Sequence, residues 1–181
     1  MLSIFIGVPL PRDVVSVLEK AQGGLTVGYK VPPAALHVPV VDLGEHIGPV
    51  IDRLKTELGR VRAAPFYLQI DGLNTEGGSA PSAIYAEVDQ PRGLKTMRGA
   101  ITEAVRDADV PVPYEKYTPM VVLAEFDEMG THDLKQIMSF LSRRQGLSAG
   151  PFPVTAFCLY TWRIEANQPV LEIIETFELT G

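Results

Sequence analysis

The apolar positions of this chain follow two periods in turn, one suited to strands and one to helices. Leu2 to Val8 is mostly apolar and short, which predicts a buried strand. Pro11 suits the first turn of a helix, Val14, Val17, Leu18 and Ala21 share one of its faces, and Gly23-Gly24 ends it. Tyr29 to Ala35, with Pro32-Pro33, reads as an irregular approach. Leu36 to Leu43 is apolar and β-branched, hence a strand. Ile47, Val50, Ile51, Leu54 and Leu58 return to helical spacing. Phe66, Leu68 and Ile70 alternate with Tyr67, Gln69 and Asp71 as in a half-buried strand, and Asn74 to Ser82 reads as a Gly/Ser loop.

The same order then recurs. Ala83 to Val88 predicts a strand, and Leu94, Met97, Ile101 and Val105 line a helix. Met120 to Phe126 is a strand, and Leu134, Ile137, Met138 and Leu141 line another helix. Phe152 to Tyr160 reads as one strand, and Val170 to Leu179 as a last one after a turn near Asn167-Gln168. The pattern is β-α-β-α-β twice, plus a terminal strand. It predicts an α+β fold with mainly antiparallel sheets, bilobal around a central groove, with residues 1–181 forming a single domain of two pseudo-symmetric lobes.

The halves also match residue by residue. His37 aligns with Met120 at an offset of 83, and Ile4-Phe5 and Val8 align with Ile84-Tyr85 and Val88 at 80, as does Pro11 with Pro91. Pro65-Phe66 aligns with Pro151-Phe152 at 86. Drifts of this size fit loop insertions. A duplicated fold brings equivalent strands together across a pseudo-two-fold axis, where paired chemistry can form.

Composition narrows the function classes. An apolar content of 46% and a charged fraction of 21% are ordinary for a globular protein, and 181 residues can bury a sizeable core. The net charge of −6 provides no general field for nucleic acid, so RNA binding is not expected. The single cysteine, Cys158, excludes an internal disulfide and a cysteine-rich zinc site, which suits a reducing cytoplasm. Leu2 to Leu10 lacks a basic flank and is cut by Pro9 and Pro11, and no apolar run approaches a membrane span. No metal-ligand cluster, cofactor motif or phosphate-loop lysine stands out.

Four segments carry a resemblance. They are Ile4-Phe5-Ile6-Gly7-Val8-Pro9-Leu10-Pro11; Val31-Pro32-Pro33 to Leu36-His37, followed by Leu43-Gly44-Glu45; Tyr117-Thr118-Pro119; and Phe157-Cys158-Leu159-Tyr160. In this order and spacing, over nearly the whole chain, they resemble the two-histidine (2H) phosphoesterase superfamily. Its bacterial members include RNA 2′,3′-cyclic phosphodiesterases, often described as 2′-5′ RNA ligases. The family motif is His-x-Thr-x, once in each half. The resemblance implies one histidine as general base and the other as general acid across the phosphorus, with two threonine hydroxyls holding the phosphoryl oxygens. Residues i and i+2 of a strand face the same side, so both motif residues reach the groove.

This chain keeps one motif residue of four. His37 matches the first histidine; Pro39, Met120 and Val122 replace the first threonine, the second histidine and the second threonine. Glu125 stands where the family often has an arginine. An acid–base group contributes roughly 10²–10⁴-fold and an oxyanion donor roughly 10²–10³-fold, so little of the ordinary reaction is expected. His46 and His132 are the other histidines, neither with a motif around it.

Three readings follow. A 2H-like protein that has lost catalysis and binds a ligand or partner, with a nucleotide or small phosphate as the ligand the resemblance implies, is the favoured one. A cyclic phosphodiesterase or RNA ligase-like enzyme with an altered site is the second, and a structural or interaction protein with a filled groove is the third. Outside the motif, Tyr160 and Trp162 can stack a base or simply bury a hairpin. Arg143-Arg144 can bind phosphate or simply form a solvated helix end, Cys158 reads as a buried strand residue, and Pro39 as marking a bulge or an edge.

Overall fold

Strands from each half leave their own lobe and complete the sheet of the other. The computed structural model describes residues 1–127, 131–166 and 168–181. The first half runs β1 (Leu2–Pro9), α1 (Arg12–Gln22), β2 (Tyr29–Lys30), a 3-10 turn (Pro33–Ala35), β3 (His37–His46), α2 (Gly48–Leu58) and β4 (Phe66–Glu76). The second runs β5 (Ala83–Val88), α3 (Arg92–Asp107), β6 (Met120–Glu125), α4 (Thr131–Ser142), β7 (Ser148–Val154), β8 (Ala156–Glu165) and β9 (Gln168–Glu178). The first sheet has the order β3-β1-β8-β9 and the second β2-β6-β5-β4-β7, with every pairing antiparallel.

The strand period separates core from groove. Ile4, Ile6 and Val8 of β1 are almost fully buried in one apolar cluster with Leu18, Leu54, Met97 and Ile101 of the helices. Phe5, between Ile4 and Ile6, belongs to a separate small cluster with Cys158 and Tyr160 on the other face. α1 lies against β6 and β7, and Gln22 near its end donates to the carbonyls of Val31 and Leu123, both at 2.8 Å. Gly28 has φ +76°, and a Cβ there would lie 2.3 Å from the Phe126 ring, so glycine lets the chain reach the edge of β6.

Hydrogen-bond register fixes how the halves correspond. In the first sheet Ile6 faces Val41 and Gly7 faces Pro39, skipping Val40. In the second, Ile84 faces Ala124 and Tyr85 faces Val122, skipping Leu123. The same bulge recurs with Val40 equivalent to Leu123, which upholds the offset of 83 for the motif strands. His37 is thus equivalent to Met120, facing Pro9 and Glu87 respectively, and Pro39 to Val122.

The flanking offsets are corrected. Ile6 corresponds to Ile84, an offset of 78 and not 80. Leu159, opposite Ile6, corresponds to Thr75, opposite Ile84, an offset of 84, whereas Pro151-Phe152 lie on β7, which pairs with β4, the strand of Phe66 itself. A shift of two residues leaves the same side chains on the same face, so the apolar pattern cannot detect it. Pro11 and Pro91 precede their helices 80 positions apart, as expected, so two residues are gained between strand and helix.

Other boundaries differ in detail. Pro11 caps α1 from outside its first turn. Residues 74–76 continue β4 because they pair with β5. The stretch 152–160 is two strands: β7 pairs with β4 and β8 with β1, so the chain changes sheets at Thr155. Met138 is 65% exposed and does not line the core. Arg144 is no free helix end; it donates to the carbonyls of Ala21 (2.6 Å) and Gly23 and lies over the Phe140 ring. Of the turn near 167–168, Asn167 lies outside the described residues.

Candidate functional site

β3 is an edge strand, and this is what lets it carry Pro39. A proline inside a doubly paired strand would lose a ladder bond; here Pro39 sits beside the bulge, with β1 on one side only. The outer edge is tied to the second half. The Tyr117 hydroxyl donates to the Pro39 carbonyl at 3.0 Å, and Arg98 Nε donates to the Val40 carbonyl at 3.3 Å. The Arg98 guanidinium also lies 4.4 Å from the centre of the Tyr117 ring.

His37 stands at the start of β3, half-buried, on an aromatic floor. Its ring centre is 4.8 Å from that of Phe5 and 5.7 Å from that of Tyr160. Phe5 in turn stacks on Tyr160 at 5.2 Å and Trp162 at 5.9 Å. Gly7 makes room for this packing: a Cβ there would lie 3.1 Å from His37 Cδ2 and 3.4 Å from Tyr160. Nδ1 of His37 is 2.8 Å from the Ala35 carbonyl, which can only accept, so Nδ1 carries a hydrogen and Nε2 is the bare nitrogen of the neutral ring. Burial pushes the His37 pKa below its ordinary value, against a smaller opposing effect of the Ala35 hydrogen bond.

His37, Pro39, Val122 and Glu125 line one cavity of about 360 Å³ between the sheets. Tyr29, Trp162 and Pro169 join them from β2, β8 and β9. Glu125 is the one lining residue of formal charge, and no lysine or arginine lines the cavity among the described residues. Met120 borders a neighbouring cavity of about 660 Å³ that shares Pro39 and takes in Arg98, Lys116, Glu115, Asp42 and Glu76. The structure thus brings four of the five motif-related residues into one cavity and sets Met120 in the next.

The other candidates fall elsewhere. His46 ends β3, nine residues from His37 and so roughly 30 Å along the strand, and bonds the Leu43 carbonyl at 2.8 Å. The His132 side chain lies outside the described residues. Cys158 is buried. Trp162 borders the cavity, whereas Tyr160 lies under His37 and borders a different one. Sequence reading missed Phe5, Tyr29 and Pro169. Phe5 could have been found, since it alternates with Ile4 and Ile6; the other two arrive from distant segments. Among the described residues no three His, Cys, Asp or Glu side chains group as metal ligands, and no helix is long and apolar enough to cross a membrane.

This exchanged pair of antiparallel sheets around a groove is a fold shared with solved phosphoesterase structures. No family model and no curated protein matches the chain. Solved structures do. Escherichia coli LigT complexed with 3′-AMP is similar at a TM-score of 0.78, with 18% identity over 99% of both chains. A crystallised phosphoesterase is similar at a TM-score of 0.78, 18% identity and the same coverage. The MHV ns2 PDE domain is similar at a TM-score of 0.62, with 16% identity over 88% of this chain and 99% of that one.

Proposed function

We propose that this chain uses the 2H-phosphoesterase fold as a binding protein and does not turn over phosphoesters. The observation that carries the reading is the register equivalence of His37 with Met120 and of Pro39 with Val122. A methionine side chain cannot move a proton, and neither a proline nor a valine side chain can donate to a phosphoryl oxygen. Glu125 adds a negative charge to the cavity, which opposes an anionic ligand. E. coli LigT is described in complexes with 3′-AMP, ATP and phosphate. Here the cavity persists while its charge is the wrong one for such ligands.

We further read residues 1–181 as one domain of two pseudo-symmetric lobes, supported by the exchanged strands and the continuous apolar cluster. The setting we propose is the cytoplasm, where a lone free thiol such as Cys158 is ordinary. The net charge of −6 argues against RNA as the partner.

One observation favours a second reading, residual catalysis. The bare Nε2 of His37 is the nitrogen a general base needs. The test is hydrolysis of 2′,3′-cyclic AMP by the wild-type chain beside His37→Ala. No turnover above the control is expected. Robust turnover that vanishes in His37→Ala would establish the second reading instead.

A further inference from the structure

Resting on that reading, we infer that the cavity beside His37 takes an organic cation with an apolar body, of the alkylammonium class, in place of a phosphate. Three features support the choice. The walls are apolar: the side chains of Val31, Pro32, Pro39, Val122 and Pro169 offer no donor to an anion. Tyr29 and Trp162 line the same space and are 43% and 38% exposed, so ring surface is free to meet a ligand. Among the described residues Glu125 supplies the one formal charge of the lining, and it is negative. A cation near aromatic faces is attracted by the ring quadrupole, and a carboxylate in the same cavity adds a Coulomb term.

Nearby cations do not reverse this balance. Lys30, on the strand that pairs with β6, does not line the cavity. Arg163, next to Trp162, is ion-paired with Glu165 and Glu172. The volume, about 360 Å³, is at the small end of ligand pockets and suits a compact molecule. Arg98 and Lys116 border the neighbouring cavity and not this one, beside Asp42, Glu76 and Glu115, and burial disfavours the charged form of His37.

Trp162 is the chain's one tryptophan and lines this cavity, so its fluorescence follows a ligand bound there. The experiment titrates choline, its uncharged isostere 3,3-dimethylbutan-1-ol, inorganic phosphate and 3′-AMP, each against the full chain. Choline is expected to change the emission saturably and to bind about tenfold tighter than the isostere. Glu125→Gln, at an exposed position and nearly isosteric, should narrow that ratio at least threefold. Equal binding of choline and its isostere overturns the inference, as does an unchanged ratio in Glu125→Gln, tighter binding of phosphate or 3′-AMP, or no response to choline. These outcomes leave the hydrolysis assay untouched. Turnover of the cyclic nucleotide would sink the non-catalytic reading whichever probe binds.

Discussion

The Tyr117 hydroxyl of the second half donates to the Pro39 carbonyl of the first at 3.0 Å, so a residue just before one motif strand holds the other motif strand in place. The bond meets the open edge of β3, and Arg98 meets the next carbonyl, Val40. Tyr117→Phe keeps the ring under Arg98 and leaves the Pro39 carbonyl without this donor. A loss of about 1–2 kcal/mol is expected, read from urea unfolding at neutral pH. The phenol also gives a pH signature. Burial, only partly opposed by Arg98, pushes the Tyr117 pKa up to about 12. The unfolded phenol ionises near 10, so alkali favours the unfolded chain. Stability from this group is intact below about pH 10 and falls as pH rises toward about 12, and Tyr117→Phe should lose less over that window than the wild type.

His37 gives the opposite slope on the acid side. Its folded pKa lies below the ordinary histidine value because of burial. The unfolded chain therefore binds the proton more readily, and stability present above about pH 6.5 declines as pH falls through the folded pKa. His37→Phe preserves the stacking on Phe5 and removes this titration. Unfolding free energies at pH 7.5 and 5.5 should differ less in the variant than in the wild type; an equal difference would show that His37 is not the responsible group.

Gln22 is 5% exposed and bridges β2's continuation to β6 through two carbonyls. Gln22→Leu keeps the volume but removes both donors, although Val31 N–H still reaches the Leu123 carbonyl. A loss of about 1–3 kcal/mol is expected in chemical denaturation. Tyr29 and Val31 lie along the same segment and line the cavity, so choline affinity should weaken in parallel.

Restoring the motif tests whether the missing groups are the cause of the proposed inactivity. Pro39→Thr, Met120→His and Val122→Thr together return both threonines and the second histidine to register-equivalent positions. Hydrolysis of 2′,3′-cyclic AMP at least roughly 10²-fold above the wild type is expected, since one acid–base group alone contributes on that order. Adding Glu125→Arg should raise it further by removing the negative charge. If the quadruple variant folds, by circular dichroism and cooperative melting, and still shows no turnover, the missing motif groups are not the sufficient cause of the proposed inactivity.

Much of this protein could be read from its residues in order. Ile4, Ile6 and Val8 alternate with Phe5, and Ile51, Leu54 and Leu58 repeat at helical spacing, because local burial imposes the periods of strand and helix. The equivalence of His37 with Met120 was legible too, since a duplicated motif keeps its spacing. Tertiary structure alone decided three further matters. It set the flanking strands at 78 and 84, because a two-residue slip is invisible to an alternating pattern and only hydrogen-bond register resolves it. It sent β4 and β8 into each other's sheets, a pairing that no local propensity encodes. And it gathered Tyr29, Trp162 and Glu125 around His37, from segments as far apart as β2 and β8, so the charge and character of the cavity emerged only when distant strands met.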